Sequence, residues 1–243
     1  MNIVAIVQAR MGSSRLPGKV LKDLEGQTVL ERVVRRLQAA TLVDKIVVAT
    51  SNRPADDVIA DECNRVSVDY FRGSESDVLD RFYLAAKEFS ADPIVRITAD
   101  CPLIDFELVD ETIRALHQGK ADYATNALAI TYPRGLDVEV FTYDALERAW
   151  SCAGEAYQRV HVTPYLYENP TEFHIASIHA EGDFSKYRWT LDTAEDFEMI
   201  RKVYRYFGGG DHFGWRDVLQ LMDEQPELAE INANIRQRTL REG

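Results

Sequence analysis

Arg10, Arg15 and Lys19 stand within ten residues of one another near the start of the chain, with Ser13 and Ser14 between them and Gly12 and Gly18 beside them. Arginine can grip phosphate oxygens through two parallel hydrogen bonds, and lysine adds a mobile point charge. Serine hydroxyls add donors, and glycines let backbone N–H groups approach an anion closely. The whole chain carries 28 Lys and Arg against 40 Asp and Glu, a net of -12, so this cluster reverses the local sign. The chemistry predicted for Gln8 to Lys19 is polyphosphate binding. The plain alternative is a solvated loop whose charges keep it soluble.

Carboxylates form the second group. Asp100 follows the apolar run Pro93 to Thr98, and its hard oxygens suit Mg²⁺, which takes one or two carboxylates plus phosphates and water. The alternative, a helix cap, fits Asp105 better. Asp137 and Glu139 alternate with Leu136, Val138 and Val140, so a strand here points both acids the same way, into solvent or into a pocket. Arg134 just before them is a candidate anion clamp, with Arg159 and His161 on the next segment. A lone histidine is more often structural than functional.

Elements able to position these groups are readable from periodicity. The β-branched run Ile3 to Val7 predicts a buried strand, and Val29, Leu30, Val33, Val34 and Leu37 predict a helix from Thr28 to Ala40, with Thr28 and Glu31 as its capping box. The first cluster is then the loop between them. Strands are expected at Lys45 to Thr50, Val68 to Arg72, Pro93 to Thr98, Asp122 to Asn126, Leu136 to Phe141 and Glu172 to His179. Helices are expected at Asp56 to Asn64, from the Ser76–Asp77 turn onward, at Asp105 to Gln118 ended by Gly119, at Tyr143 to Trp150 and at Glu155 to Glu168 with a break at Pro164. Further helices are expected from Thr193 to Tyr206, Trp215 to Asp223 and Glu227 to Arg238. This alternation predicts an α/β fold with three layers and a mostly parallel sheet, in which ligands bind beyond the carboxyl ends of the strands.

Bulk properties bound the reading. A length of 243 residues and 46% hydrophobic content fit one α/β domain spanning 1–243. The acidic balance argues against a nucleic-acid partner. No apolar run is long enough to cross a membrane, and Met1 to Val7 lacks the features of a signal peptide. Cys63, Cys101 and Cys152 are odd in number and far apart, which fits reduced thiols and a cytoplasmic protein. The loop is neither a P-loop, since Val20 follows Lys19, nor a G-x-G-x-x-G dinucleotide fingerprint.

The pattern A-R-x-x-S-x-R-L-P-G-K, present as Ala9 to Lys19, resembles the nucleotide loop of the sugar-nucleotide cytidylyltransferases that act on acylneuraminate and 3-deoxy-octulosonate. The nearest branch is the spore coat polysaccharide biosynthesis F-like one, which shares Tyr132-Pro133-Arg134-Gly135-Leu136-Asp137-Val138-Glu139 and Arg159-Val160-His161-Val162-Thr163-Pro164-Tyr165. The resemblance implies the nucleotide-diphospho-sugar transferase fold, CTP as donor, Mg²⁺ as cofactor and surface polysaccharide biosynthesis as context. It implies nucleotide contacts from Gln8, Ala9, Arg10, Gly12, Ser13, Ser14, Arg15, Lys19, Ser74, Arg81, Thr98 and Asp100. It makes Asp100 and Asp192 the metal ligands, the latter in Leu191-Asp192-Thr193-Ala194-Glu195-Asp196, and Arg15 and Lys19 their catalytic companions. It places Arg134, Asp137, Glu139, Arg159 and His161 on the side of an anionic acceptor. Thr98 departs from relatives that carry Gln there. The segment 155–180, rich in aromatics, is expected to be a dimerisation arm of a homodimer. Rival readings are a glycosyltransferase of the same fold, for which Asp100-Cys101-Pro102 lacks the second Asp of D-x-D, a nucleotidyltransferase for another base, and a non-catalytic nucleotide-binding protein.

Overall fold

The computed structural model describes residues 1–237 and 239. Seven strands form one sheet: β1 Val4–Gln8, β2 Lys45–Ser51, β3 Asp69–Gly73, β4 Ile94–Thr98, β5 Tyr123–Thr125, β6 Glu139–Phe141 and β7 Ile175–Ser177. Their order is β3-β2-β1-β4-β6-β5-β7, and β6 alone among them runs antiparallel to its neighbours. The helices are α1 Val29–Gln38, α2 Asp57–Arg65, α3 Val78–Glu88, α4 Phe106–Gly119, α5 Tyr143–Cys152, α6 Ala156–His161, α7 Pro164–Glu168, α8 Ala194–Tyr206, α9 Trp215–Glu224 and the single turn α10 Glu227–Glu230.

Strand pleat explains the three layers. In β1, Val4 and Ile6 enter one apolar cluster with α3, α5 and α7, while Ala5 and Val7 enter the other with α1, α2, α4, α8 and α9. With helices on both faces, a central strand must be apolar where it is covered, as Val4 to Val7 of β1 are. Each fully buried aliphatic side chain contributes about 1.5–3 kcal/mol, so these two clusters dominate the stability of the sheet.

Capping follows local chemistry. Thr28 accepts from the Glu31 N–H, Asp77 from Asp80, Asp105 from Leu108 and Thr193 from Asp196. The departures from expectation have tertiary causes. The strand expected from Leu136 begins at Glu139, because the Asn126 amide donates to the Leu136 carbonyl at 2.7 Å and accepts from the Val138 N–H at 2.8 Å, replacing the ladder. The helix α4 runs through Gly119, and Lys120 takes the left-handed cap at φ 47°. The helix expected to start at Glu155 breaks at Val162, and Pro164 opens α7, where its missing N–H costs nothing. The helix expected from Glu227 stops at Glu230, and its expected end, Arg238, lies outside the described residues.

The chain order turns back between β1 and β4. The loop after β1 and the loop after β4 therefore open on the same crevice. Ala9 donates to Ala49 and Ala99 to Gln8, which fixes where each loop leaves the sheet. The buried Arg36 of α1 donates to the Ile104 carbonyl at 2.6 Å, tying the loop after β4 to the helix that follows the first loop.

Candidate active site

The first loop is held at both ends. Asp56 accepts from the Met11 N–H at 2.7 Å, and the Gly18 N–H donates to the Met11 carbonyl at 3.1 Å. Gly18 sits at φ 67°, a left-handed conformation that glycine adopts without strain, and opens a short helical turn over Lys19–Leu21. That turn aims the Lys19 side chain across the ends of β1 and β4. Gly12, by contrast, has normal φ and open space around it, so the fold itself does not require glycine there.

Asp192 arrives from far along the chain. Residues 187–191 thread between the loop after β4 and the segment before β6: Arg134 donates to the Tyr187 carbonyl at 3.0 Å, Trp189 to Arg134 at 2.7 Å and Leu191 to Asp100 at 2.8 Å. Gly135, at φ 101°, makes this possible, because a Cβ there would lie 2.6 Å from the backbone of Trp189 and Thr190. Asp192 then stops against α8, its N–H donating to the Asp196 carboxylate at 2.9 Å. Asp196 is fully buried and also accepts from Thr193, Arg188 and Asn232. Periodicity read Asp196 only as an acid favoured in the first helical turn; its role as a hub needs the fold.

The result is a compact ionic cluster. Lys19 Nζ lies 2.7 Å from Asp100 Oδ2, 2.8 Å from Asp192 Oδ1 and 2.8 Å from the Leu191 carbonyl. Arg15 and Arg188 both take the other oxygen of Asp192, each at 2.8 Å. Burial works against the Lys19 charge, but Asp100 and then Asp192 outweigh it and hold the ammonium above its ordinary pKa. Burial likewise raises the Asp100 carboxyl, and Lys19, with help from Thr98 and the backbone, reverses this and leaves it below the ordinary range.

This cluster borders a cavity of about 780 Å³, large enough for a nucleotide with a small acceptor. Of the residues expected at the site, Gln8, Arg10, Gly12, Ser13, Ser14, Arg15, Lys19, Thr98, Asp100, Arg134, Asp137, Glu139, His161 and Asp192 line it. Asp137 and Glu139 thus face the crevice and not bulk solvent. Glu139 is 8% exposed, paired with Arg96 and accepting from the hydroxyls of Tyr123 and Thr163. Asp137 accepts from the Gly135 N–H at 3.3 Å. Burial raises its pKa; the Gly135 N–H and Arg134 oppose this, while Glu139 and Asp100 add to it.

Four expected residues are not in the lining. Ala9 is buried in the sheet-end packing. Ser74 caps the turn before α3, its hydroxyl accepting from the Asp77 N–H. Arg81 is fully buried, with Nη1 on the Ser74 carbonyl and Nε and Nη2 unpartnered; burial and then the nearby Arg10 push its guanidinium down to about 10. Arg159, expected to clamp the acceptor, is taken by Asp77, at 3.0 Å from Nε and 2.6 Å from Nη2, and by the Trp150 carbonyl. The 155–180 segment packs on its own body: α6 lies on α3, α7 on α5, and β7 pairs with β5. Its aromatics are used there, Tyr165 against Phe173 and Tyr167 against Tyr123.

Sequence reading passed over Arg96, Tyr123, Thr163, Tyr167, Gln237 and Thr239, all of which line the cavity. Arg96 carried a signal, since a charge inside the apolar run Ile94–Thr98 is rarely buried without a partner. Thr163 carried one too, inside the Arg159 to Tyr165 pattern, and the other four carried none.

Could the site hold a divalent cation? Among the described residues no group of three or more His, Cys, Asp and Glu is gathered. Two carboxylate oxygens and a carbonyl oxygen nonetheless converge on one point, and each carboxylate turns a single oxygen towards it. That donor set fits Mg²⁺, which keeps waters and phosphates as its remaining ligands. Asp100 and Asp192 would hold it.

The chain is similar to known proteins along almost its whole length. A family model described as cytidylyltransferase matches residues 4–227. The chain is 42% identical over 244 residues to an uncharacterised protein of Methanocaldococcus jannaschii, covering 100% of this chain and 99% of that one. It is 33% identical to the spore coat polysaccharide biosynthesis protein SpsF of Bacillus subtilis, covering 94% of this chain and 97% of SpsF. A solved cytidylyltransferase from Leptospira borgpetersenii superposes with TM-score 0.90 at 34% identity, covering 98% of this chain and 100% of that one. A CMP:2-keto-3-deoxy-manno-octonic acid synthetase superposes with TM-score 0.64 at 17% identity, covering 85% of this chain and 99% of that one, which shows the shared fold. No helix among the described residues is long and apolar enough to cross a membrane. A seven-stranded α/β sheet with a cationic loop and two acids at its switch point, matched along nearly its whole length, is therefore that of a nucleotidyltransferase, and the chain belongs to the cytidylyltransferase family.

Proposed function

We propose that the protein transfers a cytidylyl group from CTP to an anionic small-molecule acceptor, a keto-deoxy sugar acid or related metabolite, releasing pyrophosphate, in the making of a surface polysaccharide. The observation that carries this reading is the convergence of Arg15, Lys19, Asp100 and Asp192 on one edge of the cavity, beside Arg10, Ser13 and Ser14. The name of the Bacillus relative supports the polysaccharide context.

Nucleotidyl transfer needs in-line placement and charge neutralisation more than covalent help. Arg10, Arg15 and Lys19 hold the β and γ phosphates and take up the charge of the departing pyrophosphate. Asp100 and Asp192 would hold Mg²⁺, which would neutralise phosphate charge and supply Lewis-acid activation of the phosphoryl group. On the acceptor side Arg134 and His161 receive the acceptor's anionic group. Arg159 leaves that clamp, because Asp77 and the Trp150 carbonyl hold its guanidinium. Asp137 orients the attacking hydroxyl; Glu139 is already saturated and shapes the wall. A homodimer belongs to the same proposal on the strength of the family resemblance, and light scattering showing only monomer at micromolar concentration would count against it.

The test is pyrophosphate release from CTP with a panel of acidic sugars and phosphorylated small molecules, with other nucleoside triphosphates as controls. Release with an acidic acceptor and CTP is expected. A neutral sugar as the best acceptor would overturn the anionic half of the reading, and no release with any acceptor would overturn the whole.

A further inference from the structure

The Lys19 ammonium stands where a divalent cation held by Asp100 and Asp192 would sit. Its Nζ is 2.7 Å from Asp100 Oδ2 and 2.8 Å from both Asp192 Oδ1 and the Leu191 carbonyl. These are the oxygens that converge on the cation point. The second oxygen of each carboxylate is turned elsewhere: Arg15 and Arg188 grip Asp192 Oδ2 at 2.8 Å, and the Cys101 thiol faces Asp100 Oδ1 at 3.7 Å. The carboxylates are thus held so that one oxygen each serves a single cation. An ammonium spends its three N–H donors on three acceptors, and all three are used here. Mg²⁺ needs the same lone pairs at about 2.0–2.1 Å.

We propose that Lys19 and the divalent cation are alternative occupants of one position, so that the nucleotide-free protein excludes the metal and the metal enters only with the triphosphate. The inference rests on the function proposed above and adds to it an order of binding and a second role for Lys19. Three properties of the site support the exchange. Lysine is a compact charge on a flexible four-carbon stem, able to swing, whereas Arg15 and Arg188 are planar forks suited to stay on the far oxygen of Asp192. The triphosphate, bordered by Arg10, Ser13 and Ser14, offers Lys19 new acceptors on the same rim of the cavity. And without Lys19, Asp100 would lose the cation that pairs with it in a partly buried place, and Asp192 would keep only Arg15 and Arg188 on its far oxygen, which is costly for Asp100. Lys19 therefore keeps the acids together until the nucleotide brings their final partner, and a metal ion bound ahead of the nucleotide is avoided.

The experiment measures Mn²⁺ binding by electron paramagnetic resonance of the free ion, in parent, Lys19→Gln and Lys19→Arg proteins, each with and without CTP and no acceptor. Without CTP, Lys19→Gln should bind Mn²⁺ at least tenfold tighter than the parent, and Lys19→Arg should resemble the parent because a cation remains. With CTP, Mn²⁺ affinity of the parent should rise at least tenfold. Asp100→Asn in the Lys19→Gln background should abolish the gain, which locates the ion. Equal or weaker binding by Lys19→Gln overturns the exchange. If that variant does not fold by circular dichroism, the parent decides: Mn²⁺ binding as tight without CTP as with it overturns the exchange too. Pyrophosphate release by the parent separates the two claims. Turnover with CTP but no gain in Lys19→Gln removes the exchange alone, whereas absent CTP binding removes the functional reading and leaves the nucleotide-free comparison standing.

Discussion

Two pairs of acids face the same cavity under opposite electrostatics. Asp100 and Asp192, at the parallel half of the sheet, are compensated by Lys19, Arg15 and Arg188. Asp137 and Glu139, beside the antiparallel strand β6, share their surroundings unequally: Glu139 has Arg96 and two hydroxyls, while burial drives the Asp137 pKa up. The contrast teaches what each end is built to receive. A site that binds a polyanion with a metal must hold its acids ready and neutralised beforehand, since reorganising charge during the reaction is slow and costly. A site that binds hydroxyls can leave a carboxylate under-partnered, because the substrate's own O–H groups satisfy it.

Breaking the compensated pair should have the largest effect. Asp100→Asn and Asp192→Asn should keep the fold but lose turnover by orders of magnitude, since the metal supplies several kcal/mol of charge stabilisation. Pyrophosphate release is the measurement, and full activity in either variant, or in EDTA, would sink the assignment.

The next effect sharpens the comparison within the arginines. Arg134→Lys keeps charge but loses the fork, so acceptor KM should rise by about tenfold or more, the loss of a charged hydrogen bond of roughly 1.5–3 kcal/mol, while CTP affinity holds. Arg159→Lys should leave acceptor KM near the parent value and lower thermal stability through its lost pairing with Asp77. Reversed outcomes would return Arg159 to the acceptor side.

Gly135→Ala tests whether one turn joins the two halves. A positive φ and backbone atoms at 2.6 Å should cost about 1–3 kcal/mol in thermal or denaturant unfolding, with a further drop in turnover because Arg134 and Asp192 shift together. An unchanged melting temperature would show that the strand crossing relaxes freely.

The smallest effect is on Asp137. Its folded pKa is raised by burial, so the folded state holds the proton more tightly than the unfolded chain. Stability from this group is present below the unfolded value, 3.8, and is lost as pH rises through the raised folded value. Asp137→Asn should therefore raise the melting temperature at pH 7 and lose that advantage near pH 3, while acceptor turnover falls. A lower melting temperature at pH 7 would mean that Arg134 compensates the acid after all.

Local features are legible in the residues alone. The apolar run of β1, the caps at Thr28, Asp77, Asp105 and Thr193, and the clustering of cations in the first loop all follow from residues a few positions apart. Asp100 was legible as well, because an acid directly after a central strand must open onto the crevice. Distance along the chain hid the rest. Arg159 reads as a ready anion clamp until the fold brings Asp77 against it, and Tyr165 and Tyr167 read as interface aromatics until Phe173 and Tyr123 take them up. Arg96 and Glu139 pair only because β6 runs antiparallel beside β4 and sets them opposite each other. Asp192 reaches Lys19 across 173 residues, through a crossing for which Gly135 leaves room. Residue types and their spacing determine what chemistry a chain can perform. Which charges neutralise which is decided by the three-dimensional path, since Coulomb interaction and desolvation depend on separation and burial in space and not on separation in sequence.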